Sequence, residues 1–223
     1  MDDIETKDFV FGRTYNLTVI KDDQYISSTL EKGCEWDGWM RMEIPYLIRP
    51  GQEILDIGGN IGFNALMYSD YAPVHTFEPF YHKIIQKNID QNTTKYPITL
   101  HPYGLSNTEC ESDFYIPQKN GNLCNYGGSG LGFSSNSTKT KVTLKTLDSM
   151  YTGAPCLIKV DVEGHELAVL QGAEKTIRKY LPNMYIEIFE SMDGPIVKFM
   201  QSLGYNKILS RPEHNYLFIS PLQ

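Results

Sequence analysis

Four acidic side chains stand in or at the end of apolar, strand-like runs of this sequence, and they define the chemistry to be explained. Asp56 lies in Ile54-Leu55-Asp56-Ile57, Glu78 follows 73–77, Asp161 closes Cys156-Leu157-Ile158-Lys159-Val160, and Glu187 sits inside 184–190. In open α/β sheets ligands bind beyond the carboxyl ends of the strands, so acids there are the residues to weigh. Asp161 is followed by Val162-Glu163-Gly164-His165-Glu166, which adds two carboxylates and an imidazole. Two schemes use this group. In one, Asp161 or His165 is a general base for a hydroxyl nucleophile, His165 being the better match to neutral pH. In the other, Asp161 and Glu187, with Glu163, hold a hard divalent cation such as Mg²⁺ or Mn²⁺ that lowers the pKa of that hydroxyl. Plain structural roles compete with both: a satisfied helix-start residue for His165, and favourable charge in a first helical turn for Glu163 and Glu166. Lys159 belongs with the candidate catalytic residues, because a central-strand lysine is rarely buried without a partner; an ion pair with Glu187 is its structural alternative. Glu213 and His214, in the final loop, either reach the site or form a solvated hairpin tip, the second reading being favoured.

A second group binds rather than reacts. Asp56-Ile57-Gly58-Gly59-Asn60-Ile61-Gly62 leads from a buried strand through a tight glycine turn into a helix, the nucleotide-binding device of doubly wound folds. Asn60 reads as the cap of that helix. Glu78 lies 22 positions after Asp56, near the offset at which an acid takes ribose hydroxyls. The glycines do not form Gly-x-Gly-x-x-Gly, so the turn offers no dedicated pyrophosphate seat. A ligand with a sulfonium and an amino-acid tail suits it better.

The elements that must position these residues follow from periodicity. A hairpin is predicted over 8–20, a helix over 36–47 ended by Pro50-Gly51, and then strands and helices alternate: strand 54–57, helix 64–68, strand 73–79, helix 81–91, strand 98–101. No helix follows 98–101; instead 113–116 and 142–145 are strand-like, and 119–136 shows neither period, which marks a lid or disorder. The chain resumes with strand 156–161, one helix to Tyr180, strand 184–190, helix 197–203 and a closing pair of strands, 205–209 and 216–219. The alternation implies a parallel sheet with an antiparallel edge added by the final hairpin. We expect one domain over 1–223: a hairpin and helical cap over 1–50, and a core over 51–223 with a loop insertion near 117–139.

Composition narrows the partners. With 223 residues and a net charge of −7, the chain suits one α/β domain and small or neutral substrates, not the gripping of phosphate backbones, so no nucleic-acid partner is expected. Cys34, Cys110, Cys124 and Cys156 show no metal or disulfide spacing, and Cys156 is expected in the core. No apolar run reaches the ~20 residues of a membrane span and the first residues are no signal peptide, so a cytoplasmic location is expected. Three glycosylation-type triplets, at Asn16, Asn92 and Asn136, are read as chance matches.

The turn at 56–62, Phe77-Glu78-Pro79, Gly104-Leu105-Ser106, Thr146-Leu147-Asp148, and Ile158 to Glu166 with Leu170-Gln171-Gly172-Ala173 occur in that order. From about Trp36 to Glu190 this resembles the FkbM family of S-adenosylmethionine-dependent O-methyltransferases, the Lys159–Gly164 segment being the most specific part. The resemblance implies a class I methyltransferase, Rossmann-like, with a seven-stranded mostly parallel sheet, an antiparallel terminal strand and helices on both faces. It implies S-adenosyl-L-methionine as cofactor and a sugar or polyketide hydroxyl as acceptor, with rhamnose or fucose as candidate sugars. Asp56, Gly58 and Asn60 would then face the methionine end and Glu78 the ribose, with Phe80 and Tyr103, Gly104, Leu105 and Ser106 near adenine, and Asp161 at the reacting end. Gly59 departs from the alanine common in the family, a change expected hardly to affect binding. Three other classes fit less well. A nucleic-acid methyltransferase would want a basic groove, and an oxidoreductase using NAD a different glycine pattern. A non-catalytic module would not need carboxylates at strand ends.

Overall fold

A computed structural model of the chain describes residues 4–132, 135–189 and 194–223. The first third comprises β1 (Ile4–Phe11), β2 (Arg13–Ile20), α1 (Ile26–Glu31), a 3-10 turn (Gly38–Met42), α2 (Ile44–Leu47), β3 (Glu53–Ile57) and α3 (Phe63–Tyr68). Next come β4 (Val74–Phe77), α4 (His82–Asp90), β5 (Ile98–His101), β6 (Gly104–Leu105), β7 (Cys110–Pro117), β8 (Ser137–Lys145) and α5 (Leu147–Met150). The rest is β9 (Pro155–Val160), α6 (Glu166–Gly172), α7 (Glu174–Tyr180), β10 (Asn183–Glu187), α8 (Pro195–Ser202), β11 (Ile208–Ser210) and β12 (Asn215–Phe218).

A mixed sheet of seven strands, in the order β11-β12-β10-β9-β3-β4-β5, forms the centre of this α/β fold. β5, β4, β3, β9 and β10 run parallel, β12 is antiparallel to β10, and β11 is antiparallel to β12. The antiparallel strand therefore lies inside the sheet and not at its edge, because β12 pairs on both sides. Alternation sends Leu55, Ile57, Ile158, Val160 and Ile186 to one face, against Val169, Leu170, Ile177, Val197 and Met200 of the helices. It sends Ile54, Leu157 and Tyr185 to the other, against Met40, Ile44, Leu47, Ala65, Met67 and Tyr68. Full burial of each large apolar side chain there contributes about 1.5–3 kcal/mol. The N-terminal hairpin turns at Gly12, at a φ of 71°. It buries Tyr15, Leu17 and Val19 against Phe63, Leu66 and Ile84, which fixes the glycine turn's helix from outside.

Two predicted helices are broken. The stretch 36–47 divides at Glu43, because Pro45 in the first turn of α2 has no N–H to continue the preceding turn. The helix after Asp161 divides at Ala173, where Gly172 passes so close to the Ser106 carbonyl that a Cβ would overlap it. The end of the predicted strand at Glu190 lies outside the described residues. Within 119–132 the chain is folded, not structureless: it bridges Asn120 to Leu123, Asp23 to Cys124 and Tyr115 to Gly130. Cys156 is buried in the core as expected.

Candidate active site

A cleft of about 630 Å³ opens over the carboxyl ends of the parallel strands. Its floor on one side is the turn Gly58-Gly59-Asn60-Ile61, with Glu78, Pro79, Gly104, Leu105 and Phe114 continuing the wall. The turn is set by backbone conformation: φ is 93° at Gly58, 48° at Asn60 and 84° at Gly62. Gly58 must be glycine for a second reason, since a Cβ would overlap the carbonyl oxygen of Asp161. Asn60 does not cap α3; Gly62 occupies that position, without a side-chain cap. Glu78 is 5% exposed and gathers the backbone N–H groups of Asn60 (3.1 Å), Phe80 (2.8 Å) and Tyr81 (3.0 Å). Burial pushes its carboxyl up to about 7 against those hydrogen bonds. A carboxyl that ties the glycine turn to the start of the next helix is no solvated acid.

The register of the sheet explains the reacting end. Lys159 lies opposite Asp56 on one neighbour and Tyr185 on the other, so the three side chains share a row on one face. Two residues further along, side chains return to that face, which puts Gly58, Asp161 and Glu187 in the next row at the strand ends. Lys159 Nζ donates to Asp161 Oδ2 at 2.6 Å and lies 3.5 Å from Asp37 Oδ2. It is therefore partnered by Asp161 and Asp37 and not by Glu187, since spacing of two along one strand brings Asp161 over it. Burial opposes charge on Lys159, but Asp161 and Asp37 outweigh it and hold the ammonium above its ordinary range. Asp161 is held below the usual carboxylate range: burial works the other way, and the lysine wins.

Single oxygens of Asp161, Glu163 and Glu187 come within 4.8 Å of one another. Burial, and then the charge of Asp161, push Glu187 up to about 9. Asp161 is thus the ionised member and Glu187 the protonated one at neutral pH. Glu163 stands at a φ of 54°, and burial with the charges of Asp161 and Glu166 pushes it up to about 7. Glu166 Oε1 accepts from the backbone of Val162 (3.1 Å) and Gly164 (3.0 Å), which braces this loop. His165 lines the cleft, but its Nε2 is engaged with Ser106 Oγ at 2.9 Å, and burial lowers its pKa.

The structure brings Gly58, Asn60, Glu78, Gly104, Leu105, Asp161, Glu163, His165 and Glu187 to one cleft. Four other expected contacts stand behind its wall. Asp56 is buried and accepts a hydrogen bond from Thr76 Oγ1 at 2.9 Å, because its row lies one layer below the strand ends. The Tyr103 hydroxyl hydrogen-bonds with His101 Nδ1 and its ring lies under Lys145; Ser106 holds His165; and Phe80 stacks on Phe114 at 5.8 Å. Lys159 is likewise buried beneath Asp161 and does not line the cleft. Gly59 is not indifferent to alanine, since a Cβ would overlap Thr76 Oγ1. Glu213, His214 and Asn215 line the cleft, so the final hairpin tip is not simply solvated. The sequence reading missed Asp37, whose φ of 52° lifts its buried carboxylate toward Lys159 and Asn64 Nδ2 (2.9 Å). The signal available was an Asp-Gly pair inside an otherwise helical pattern.

A mixed α/β sheet with a glycine turn and a carboxylate cluster facing one cleft at the strand ends is a fold of the methyltransferase kind. Residues 56–207 match the family model described as the methyltransferase FkbM domain, and the chain belongs to that family. A curated relative, the hexuronic acid methyltransferase AglP of Haloferax volcanii, is 31% identical over 146 residues, covering 62% of this chain and 56% of that protein. The chain thus spans little more than half the length of the curated relative it matches. Among solved structures, the FkbM methyltransferase of Methylobacillus flagellatus KT shares the fold at a TM-score of 0.50 and 17% identity, over 78% of this chain and 45% of that one. A fainter likeness, TM-score 0.46 and 11% identity over 97% of this chain and 43% of the other, is to a Pyrococcus abyssi tRNA (uracil-54, C5)-methyltransferase with S-adenosyl-L-homocysteine. Among the described residues no helix is long and apolar enough to cross a membrane.

Proposed function

We propose that the chain is a class I, S-adenosyl-L-methionine-dependent O-methyltransferase acting on a sugar hydroxyl in glycan or glycoconjugate synthesis. One observation carries this: the glycine turn with Glu78 and the cluster Asp161, Glu163 and Glu187 line the same cleft. Family membership and the sugar-methylating relative support the class of reaction. The residues fit the cofactor. Glu78 has an acceptor oxygen for ribose hydroxyls, Gly58 and Asn60 present backbone to an amino-acid tail, and Leu105 and Phe114 offer apolar wall to a base. Six carboxylates line the cleft, an environment that favours a sulfonium cation. The bound cofactor supplies the methyl group on a positively charged sulfur.

The chain's own part is to orient the acceptor and move a proton. Asp161, kept ionised by Lys159, would accept the hydroxyl proton when the methyl carbon exchanges its bond to sulfur, which leaves as a neutral thioether, for one to the hydroxyl oxygen; Glu187 already holds a proton and cannot. Glu163, poised near neutrality, passes the proton to solvent from the exposed side of the loop. The same three carboxylates suit a hard divalent cation, which would displace the Glu187 proton and lower the hydroxyl pKa. Calorimetry with S-adenosyl-L-homocysteine and with NAD tests the class: the adenosyl ligand should bind and NAD should not, and the reverse would remove the reading. Asp161→Asn should cut methyl transfer by roughly 10²–10⁴-fold with adenosyl binding nearly intact. Full turnover after exhaustive chelation would discard the cation.

A further inference from the structure

Part of the cleft wall is acidic. Asp37, Asp161, Glu163, Glu187 and Glu213 line it, and among the described residues no lysine or arginine does. Residues 1–3, 133–134 and 190–193 contain neither type. Lys159 stands behind this wall at 2% exposure and is already engaged by Asp161 and Asp37.

Beside the acids is an apolar surface. Phe189 lines the same cleft with 63% of its surface exposed, two residues beyond Glu187 on the chain. Its ring lies 4.8 Å from that of His214, tilted by 41°. His214 is held in place by its own backbone, whose carbonyl accepts from Ile188 N at 2.9 Å. A pair of rings on the wall of a cleft, next to converging polar groups, offers an apolar face that a ligand can cover. A sugar has the complementary pair of faces: C–H groups that lie on an aromatic ring, and a hydroxyl that donates to a carboxylate. A carboxylate or phosphate on that sugar would face ionised Asp161 and the acids around it, with no lysine or arginine on the cleft wall to pair with.

Resting on the methyltransferase reading, we infer that the acceptor is a sugar free of carboxylate and phosphate. Its C–H face lies on Phe189 and His214, and its reacting hydroxyl turns toward Asp161, Glu163 and Glu187. This separates the chain from its archaeal relative, whose name specifies a hexuronic acid. Phe189 is then a specificity-determining residue, and the acids exclude as well as activate.

The test uses the full chain. It is first titrated with S-adenosyl-L-homocysteine. The loaded protein is then titrated with methyl α-L-rhamnoside, methyl β-D-glucoside and methyl β-D-glucuronide, with and without Mg²⁺. At least one neutral glycoside should bind, about tenfold or more tightly than the glucuronide. Phe189→Ala should weaken that glycoside about tenfold and leave the adenosyl affinity unchanged, and Phe189→Trp should restore it. Equal or tighter binding of the glucuronide would overturn the inference, as would an adenosyl-loaded protein that takes no neutral glycoside or a Phe189→Ala chain that binds it normally. Failure of the first titration would instead overturn the methyltransferase reading beneath it, so the two failures are read separately.

Discussion

At position 59 the backbone passes so close to Thr76 that a Cβ would overlap its hydroxyl, with Ile85 Cδ1 at 3.0 Å. That hydroxyl donates to Asp56, whose buried carboxyl is pushed up to about 6, chiefly by burial. One glycine, one threonine and one aspartate are thus a single packing problem. Gly59→Ala should destabilise the chain by about 1–3 kcal/mol through overpacking, and Thr76→Ala by about 1 kcal/mol through the lost hydrogen bond. The double variant should lose less than the sum, because removing the threonine hydroxyl makes room for the new methyl. Urea denaturation of the four chains checks this, and strict additivity would mean that the two side chains do not compete for space. Here the limit of sequence reading is physical. The turn's glycines were legible from their order, but which neighbour each one makes room for depends on the register between β3 and β4.

At the scale of elements, the stretch 119–132 supplies part of the cleft wall through Asn125, Gly127, Ser129, Gly130 and Leu131. Its Tyr126 joins the apolar cluster of the N-terminal hairpin, and Ser129 Oγ meets the Tyr81 hydroxyl at 3.0 Å. Gly130 lies against Glu163, so this stretch touches the acidic loop directly. Removing the Tyr81 hydroxyl, as Tyr81→Phe, deletes its hydrogen bonds to Ser129 Oγ and to the Tyr126 carbonyl, each worth about 0.5–1.5 kcal/mol. Amides of 126–130 should then exchange with solvent roughly three- to tenfold faster, read by hydrogen-exchange mass spectrometry, while amides of β3 and β9 stay protected. Unchanged exchange would mean that Ser129 anchors nothing. The parallel strands around Asp56, Glu78 and Asp161 were legible because apolar runs bounded by turn residues have few alternatives. The fold of 119–132 was not, because its contacts are scattered bridges to Asp23 and Tyr115, which leave no period in the sequence. The same reason hid Asp37 and the inward turn of Glu213 and His214, whose left-handed backbone no apolar pattern reveals.

For the whole molecule, the clustering of acids has a sign. Asp56, Glu78 and Glu163 titrate near 6, 7 and 7, and Glu187 near 9, all raised by burial first. Each holds its proton in the folded chain at pH values where the unfolded chain has lost it. Stability from this source is therefore complete below about pH 4 and is lost as pH rises through the folded values. His101 acts in the opposite sense: burial, with His75 beside it, lowers it to about 4, so it disfavours the folded state only as pH falls from about 6.5 to 4. Above pH 6.5 the acids alone remain, and the melting temperature of the ligand-free chain should fall steadily to pH 9. Glu187→Gln should flatten the upper part of that decline, and at pH 9 this variant should melt above wild type. Differential scanning calorimetry across pH 6–9 measures both, and parallel profiles for the two chains would show that Glu187 carries no retained proton.

β12 runs against the parallel strands, so it is its beginning, not its end, that reaches the cleft, and the loop before it delivers Glu213 and His214. The glycine turn and this loop come from distant parts of the chain and meet the same cavity from different strands. The cavity therefore has two separable walls, and a change of length between β11 and β12 alters one of them without touching the other.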